Sequence, residues 1–220
     1  MDSSRPKLGD VLQGEVVEHR FPGARRNTIT ARDAAAQALA AYLSRVLFEV
    51  AGSPPRTFQL KHVLTEWPES FDKMAYPSAA ITSPREPIAP HNFHPTALEE
   101  TWNEFCLNTV LWKTGELAVE FQVDFWCTTK PEREAVAARL DEAFSPTESR
   151  SGVLLQGPAE YWCRSVRCTL IEAERVDSSA STLGREREYR AKVLAEIDQV
   201  HLREAAELQP VIRVEPPVVT

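Results

Sequence analysis

Two histidines three residues apart, in the stretch PHNFHP, make the one metal-like spacing in this chain of 220 residues. The imidazoles of His91 and His94 could share an ion if Glu99 or Cys106 completed the set. The alternative is a solvated loop, since prolines flank both. A cysteine nucleophile would need a histidine beside it and an acid to orient that histidine. Cys127 and Asp124 are neighbours in sequence, but strand alternation sends positions three apart to opposite faces. It also puts Cys127 on the apolar side, where a thiol is poorly reactive. The carboxylate pairs Glu99–Glu100, Glu132–Glu134 and Asp141–Glu142 would need a pocket that shifts a pKa before they could do acid–base work. The last two pairs fall on or near the charged face of an expected helix, where solvation is the plainer role. There is no GxSxG, Walker, GxGxxG or HExxH sequence. With 8 glycines in all, a cradle of backbone amides for phosphate is hard to build. The expectation is no catalytic residue, no cofactor and no metal.

Bulk properties narrow the partners. A 43% hydrophobic and 26% charged chain of this length suits one domain with appendages or two small ones. Net charge of -7 argues against non-specific binding to a nucleic-acid backbone. No window approaches the roughly 18 apolar residues of a membrane span, and MDSSRPKLGD lacks the apolar core of a signal peptide. Synthesis in the cytoplasm with no membrane contact is therefore expected. Cys106, Cys127, Cys163 and Cys168 form no C-x-x-C pair, and three of them sit in strand-like stretches. They read as small buried hydrophobes, with a disulfide or a zinc site as the alternative.

Several elements must position these groups. Residues 1–27 lack periodicity, apart from a possible short strand GEVVEH, and read as an N-terminal arm. Thr30 can cap a helix with Asp33 near its positive end. Ala35, Leu39, Tyr42, Leu43, Val46, Leu47 and Val50 then make one face, until Gly52 and Pro54–Pro55 stop it. TFQLKHVL reads as one strand. Residues 67–99 read as a long proline-rich loop, marked by Pro68, Pro77, Pro84, Pro87, Pro90 and Pro95, with PSAAIT at most a short strand. EFCLNTVLW should reach a hairpin turn at KTG, with Gly115 in the turn.

The next stretch, GELAVEFQVDFWC, alternates strictly. Leu117, Val119, Phe121, Val123, Phe125 and Cys127 face one way, and Glu120, Gln122 and Asp124 the other. Thr129 caps a second helix with Pro131 and Glu132 in its first turn, and its stripe is Arg133, Val136, Ala137, Leu140 and Phe144. GVLLQGPAEYWCRSVRCTLIEAERV is strand material. The final EREYRAKVLAEIDQVHL fits a helix by propensity. It fits a strand by the alternation of Tyr189, Ala191, Val193, Ala195 and Ile197, and the need of a short sheet for another strand favours the second. The sum is an α+β fold: a mostly antiparallel sheet with two helices on one face, a core over 28–205 and a C-terminal tail over 206–220.

LAVEFQVDFW followed by TTKPEREAVAARLDEAF resembles a pattern of tailed-phage tail-terminator and tail-completion (neck) proteins. So do the later block GVLLQGPAEYWCRSVRCTLIEAERVD, the AKVLAEIDQVHL element and, upstream, WPESFDKMAYPSAAIT, so that the resemblance spans roughly residues 30 to 205. It implies a non-enzymatic virion protein made in the host cytoplasm. Such a protein forms a homo-oligomeric ring, usually a hexamer, that ends the tail tube or sheath and meets the head connector, with genomic DNA only passing through the lumen. The long loop and the termini leave open another neck, collar, connector or baseplate position; a small enzyme or a monomeric adaptor is the reading from a different class. Candidate contacts are Glu120, Gln122 and Asp124 on the polar strand face, Arg185, Arg187 and Arg190 in the locally basic REREYR, and His91 and His94.

Overall fold

The computed structural model describes residues 27–69, 74–83, 91–102, 107–145, 152–161, 165–176 and 187–204. The expected arm (apart from Asn27), the C-terminal tail, Arg185, Cys106, Trp162 and Cys163 lie outside them. The fold is α+β. In chain order the elements are α1 (Ala31–Leu43), β1 (Phe48–Val50), β2 (Arg56–Phe58), β3 (His62–Leu64), β4 (Ser78–Thr82), β5 (His91–Trp102), β6 (Leu107–Cys127), α2 (Lys130–Phe144), β7 (Val153–Gln156), β8 (Ser165–Val176) and β9 (Arg187–Glu204). Strands β3-β4-β6-β9-β8-β7 form the main sheet, with β5 also paired to β6. Every pairing in it is antiparallel except β3 with β4.

The alternation in β6 does what its pattern requires. Leu117, Val119, Phe121, Val123, Phe125 and Cys127 are all buried on the inner face. Their register partners on β9 include Ile197, Ala195, Val193, Ala191 and Tyr189, so large side chains on one strand meet smaller ones on the next through most of the ladder. Both helices pack over β6, β8 and β9 on this face. The buried alanines of α1 (Ala31, Ala34, Ala35, Ala36, Ala38) let its backbone come close. Tyr42 of α1 meets Phe144 of α2 edge to face at 5.8 Å. Each buried phenylalanine contributes about 2 kcal/mol through the water it leaves.

The caps form as expected. The Thr30 hydroxyl accepts from the Asp33 amide, and Thr129 and Glu132 close a reciprocal capping box at the start of α2. Cys127 and Cys168 are buried free thiols. The last element is a strand, with Tyr189, Ala191, Val193, Ala195 and Ile197 all buried.

Four expectations change. The first helix stops at Leu43 instead of running to Val50, because Phe48–Val50 pairs with Arg56–Phe58 and Phe48 stacks on Phe58 at 5.3 Å. Val46 is still buried, but Leu47 is 56% exposed. TFQLKHVL is split between β2 and β3, which belong to different sheets. The stretch 67–99 has its short strand at PSAAIT, β4, but the expected loop also contains most of β5. KTG makes no hairpin. Strand β6 runs through it for 21 residues, roughly 70 Å at the usual rise, with only a register shift between Lys113 and Gly115. Gly115 is bonded on both sides, opposite His91 and opposite Gln199, which keeps the backbone extended there. Strands β4 and β5 share one side of β6, β4 opposite Gln122–Trp126 and β5 opposite Leu107–Gly115.

Phe121→Asp puts an unpaired carboxylate in this core, and loss of the cooperative unfolding transition in circular dichroism is the expected result. Gly152 has φ 87°, and a Cβ there would lie 2.4 Å from the Cys168 carbonyl oxygen. Gly152→Ala should therefore cost more than about 1 kcal/mol in urea unfolding, with the secondary structure otherwise retained.

Candidate assembly interface

Because β6, β9 and β8 are adjacent, residues in register stand in rows across the outer face of the sheet, away from both helices. One row is Gln122–Lys192–Glu172 and the next Asp124–Arg190–Glu174. Lys192 Nζ lies 2.8 Å from Glu172 Oε2. Arg190 Nε donates to Asp124 Oδ1 at 2.6 Å, and its remaining nitrogens reach Glu188 at 3.0 Å and Glu174 at 3.8 Å. The Gln122 amide donates to the second Asp124 oxygen at 2.7 Å. One guanidinium thus holds three carboxylates from three strands, the fork geometry for which arginine is suited.

Asp124 does not stand free on this face. Its side chain is 0% exposed, as are Ser78 and Ala80 on β4, and Trp126 is 4% exposed. Ala80 is the register partner of Asp124 on β4, and Trp67 packs edge-on against Trp126 at 5.5 Å. A small second core therefore closes this end of the outer face. Gln122 is half-buried and committed to Asp124, while Glu120 is exposed. Further along, Ala118 and Glu196 are exposed in register with each other, Leu194 is half-buried opposite Glu120, and Lys113 pairs with Glu116 and, at 2.7 Å, with Asp198.

The charges titrate accordingly. Hydrogen bonding to Asp124 raises the Arg190 pKa further, and the Glu172 hydrogen bond raises that of Lys192. Burial pushes the Glu188 carboxyl up, the neighbouring Asp124 adds to this, and Arg190 opposes it. Burial also pushes the Cys127 and Cys168 thiols up to about 12, which fits buried hydrophobes and not nucleophiles.

Arg187 lies on β9 opposite Cys127, and His91 and His94 lie on β5, not in a loop; the side chains of all three, like all of Arg185, are outside the described residues. Sequence reasoning missed Glu172, Glu174 and Glu188 as partners of the basic strand. The signal was the two-residue spacing of Glu188, Arg190 and Lys192, which becomes legible once that element is a strand. It also missed a cleft of about 500 Å³ between α1 and the chain after β3, lined by Arg32, Asp33, Gln37, Glu66 and Trp67 over Phe121. Partial burial raises the Asp33 carboxyl there, but the Thr30 hydroxyl and Arg32 outweigh it, so its net displacement is downward.

No known protein family and no curated protein matches this sequence. Among solved structures, the chain is similar to one from "Virion of native gene transfer agent (GTA) particle", at 11% identity, covering 76% of this chain and 94% of that one, with a TM-score of 0.34. Among the described residues, no helix is long and apolar enough to cross a membrane.

Arg190→Leu leaves Asp124 buried without its counter-charge, and a loss of about 3 kcal/mol in urea unfolding at neutral pH is expected. Glu188 binds its proton more tightly folded than unfolded. Its contribution to stability therefore falls as pH rises above the ordinary carboxylate value of 4.5 toward the raised folded value. Glu188→Gln should remove that fall and be the more stable form, relative to wild type, at pH 7 than at pH 4. An unchanged difference across that range would rule out this origin.

Proposed function

We propose that this chain is a structural virion protein that forms a ring at the head-proximal end of a phage tail, ends the tail tube or sheath there and joins it to the head connector. The observation that carries the reading is the one-sided layering. Helices cover a single face of the sheet, while the opposite face of β6, β9 and β8 carries rows of charged side chains, exposed from Glu120 to Glu116. A closed ring repeats one heterologous contact, so each subunit needs two unlike surfaces, and a two-layer plate has them. The sequence resemblance of the strand–cap–helix stretch Leu117–Phe144 supplies the place in the particle.

On this reading the partners are further copies of the chain, in a hexamer, together with tube or sheath protein and a connector protein. DNA only passes through the lumen, where an acidic protein repels it. The protein does no catalysis, and no cofactor or metal takes part. Another neck, collar, connector or baseplate position would use the same surfaces. A small enzyme or a monomeric adaptor could instead work through a cleft such as the one beside Arg32 and Asp33.

Light scattering and negative-stain electron microscopy of the purified chain, alone and with tube protein, test the proposal. A ring of about six copies, or rings seated on tube ends, is the expected result. Monomers under both conditions would overturn it.

A further inference from the structure

Among the described residues, the outer face carries more carboxylate than cation, and nearly all of these cations are already engaged. Lys192 is held by Glu172, Arg190 by Asp124, Glu188 and Glu174, and Lys113 by Glu116 and Asp198. Arg167 remains, facing Glu196 across the ladder. Glu120 and Glu196 are exposed on either side of the half-buried Leu194, with exposed Ala118 beside them. The open part of this sheet is thus an acidic band around a small apolar spot.

The chain itself has a complementary segment. Although the net charge is -7, His19–Arg26 reads HRFPGARR, with Arg20, Arg25 and Arg26, no carboxylate, and one aromatic, Phe21. This segment joins the domain at Asn27, whose amide donates to the Val200 carbonyl at 2.9 Å, and Thr28 donates to the Glu160 carbonyl at 3.2 Å. Ile29 then packs on the inner core and α1 follows on the same face. The arm therefore joins the plate at the edge of β9, next to the start of α1. Eight residues reach at most about 28 Å. That reach covers the segment's own band as well as that of an adjacent copy, and the repeated contact between copies that a ring requires selects the second.

We infer that the basic segment His19–Arg26 of one copy docks on the outer sheet face of the next, with its arginines on Glu120 and Glu196 and Phe21 against Ala118 and Leu194. Donor and acceptor are different parts of the chain, so the contact is heterologous and can propagate around an axis. The inference rests on the assembly reading only in needing a second copy. Being charge-driven at the surface, it weakens with salt.

Two full-length variants test it by light scattering at low salt: an arm variant (Arg20→Glu, Arg25→Glu, Arg26→Glu) and a face variant (Glu120→Lys, Glu196→Lys). Unchanged circular dichroism and melting establish that both are folded. Each alone should self-associate at least about tenfold more weakly than wild type. Mixed, they should co-assemble into alternating oligomers, because each variant's arm is then opposite in charge to the other variant's face. A chain carrying all five substitutions should recover self-association, since both charges are then reversed. Wild-type-like association of the arm variant overturns the inference, as does a mixture that stays monomeric, which would put the segment on its own chain. Rings formed by both wild type and the arm variant would overturn this contact and leave the ring reading standing. Open, arm-dependent wild-type oligomers without rings would do the reverse.

Discussion

From Thr109 to Cys127, strand β6 is bonded to β9, and every other part of the molecule is placed relative to that ladder. It carries the inner face on which both helices rest, and β4, β5 and β8 are added to its sides. A slip of one residue would turn Leu117, Val119, Phe121, Val123 and Phe125 outward and bring Glu120 and Asp124 under the helices. The hydrophobic cost of that exchange, several side chains at about 2 kcal/mol each, fixes the register far more strongly than the backbone bonds, which either register would satisfy.

The polar side depends on the same register. Arg190 meets Asp124 only because Asp124 and Arg190 are direct partners, and it reaches Glu174 because β8 continues the row. Asp124 is wholly buried, so its desolvation is offset by Arg190 and by the Gln122 amide. The two faces therefore have different tasks. The inner face stabilises the fold through burial. The outer face closes at one end around Trp126 and Ala80 and stays open and acidic toward Glu120 and Glu116. A plate with unlike sides suits head-to-tail association, and the arm that joins it at Asn27 has the charge the open side lacks.

Much of the fold was legible because its signals are local. The alternation over Leu117–Cys127, the caps at Thr30 and Thr129 and the stripe of α2 each need only a few neighbouring residues to be read. The candidate interface was less legible. Glu120 is exposed on the polar face to which alternation assigns it, but Asp124 on the same face is buried, because β4 and Trp126 cover it and nothing near it in sequence announces that contact. Glu188 and Glu174 were invisible as partners until β8 and β9 were paired.

The sequence alone determined the faces: which side chains on each strand and helix are apolar, where the helices begin, and that the fold is α+β. Side-chain periodicity and capping are properties of short stretches, and no distant partner is needed to express them. Only the tertiary structure decided how far each strand runs. β6 continues through Gly115 because β5 and β9 bond it from both sides, α1 yields to a strand at Phe48 because β2 pairs with it, and the final element is a strand because β6 and β8 flank it. A strand's backbone groups are satisfied only by its neighbours, so its extent is decided across the sheet and cannot be read along the chain.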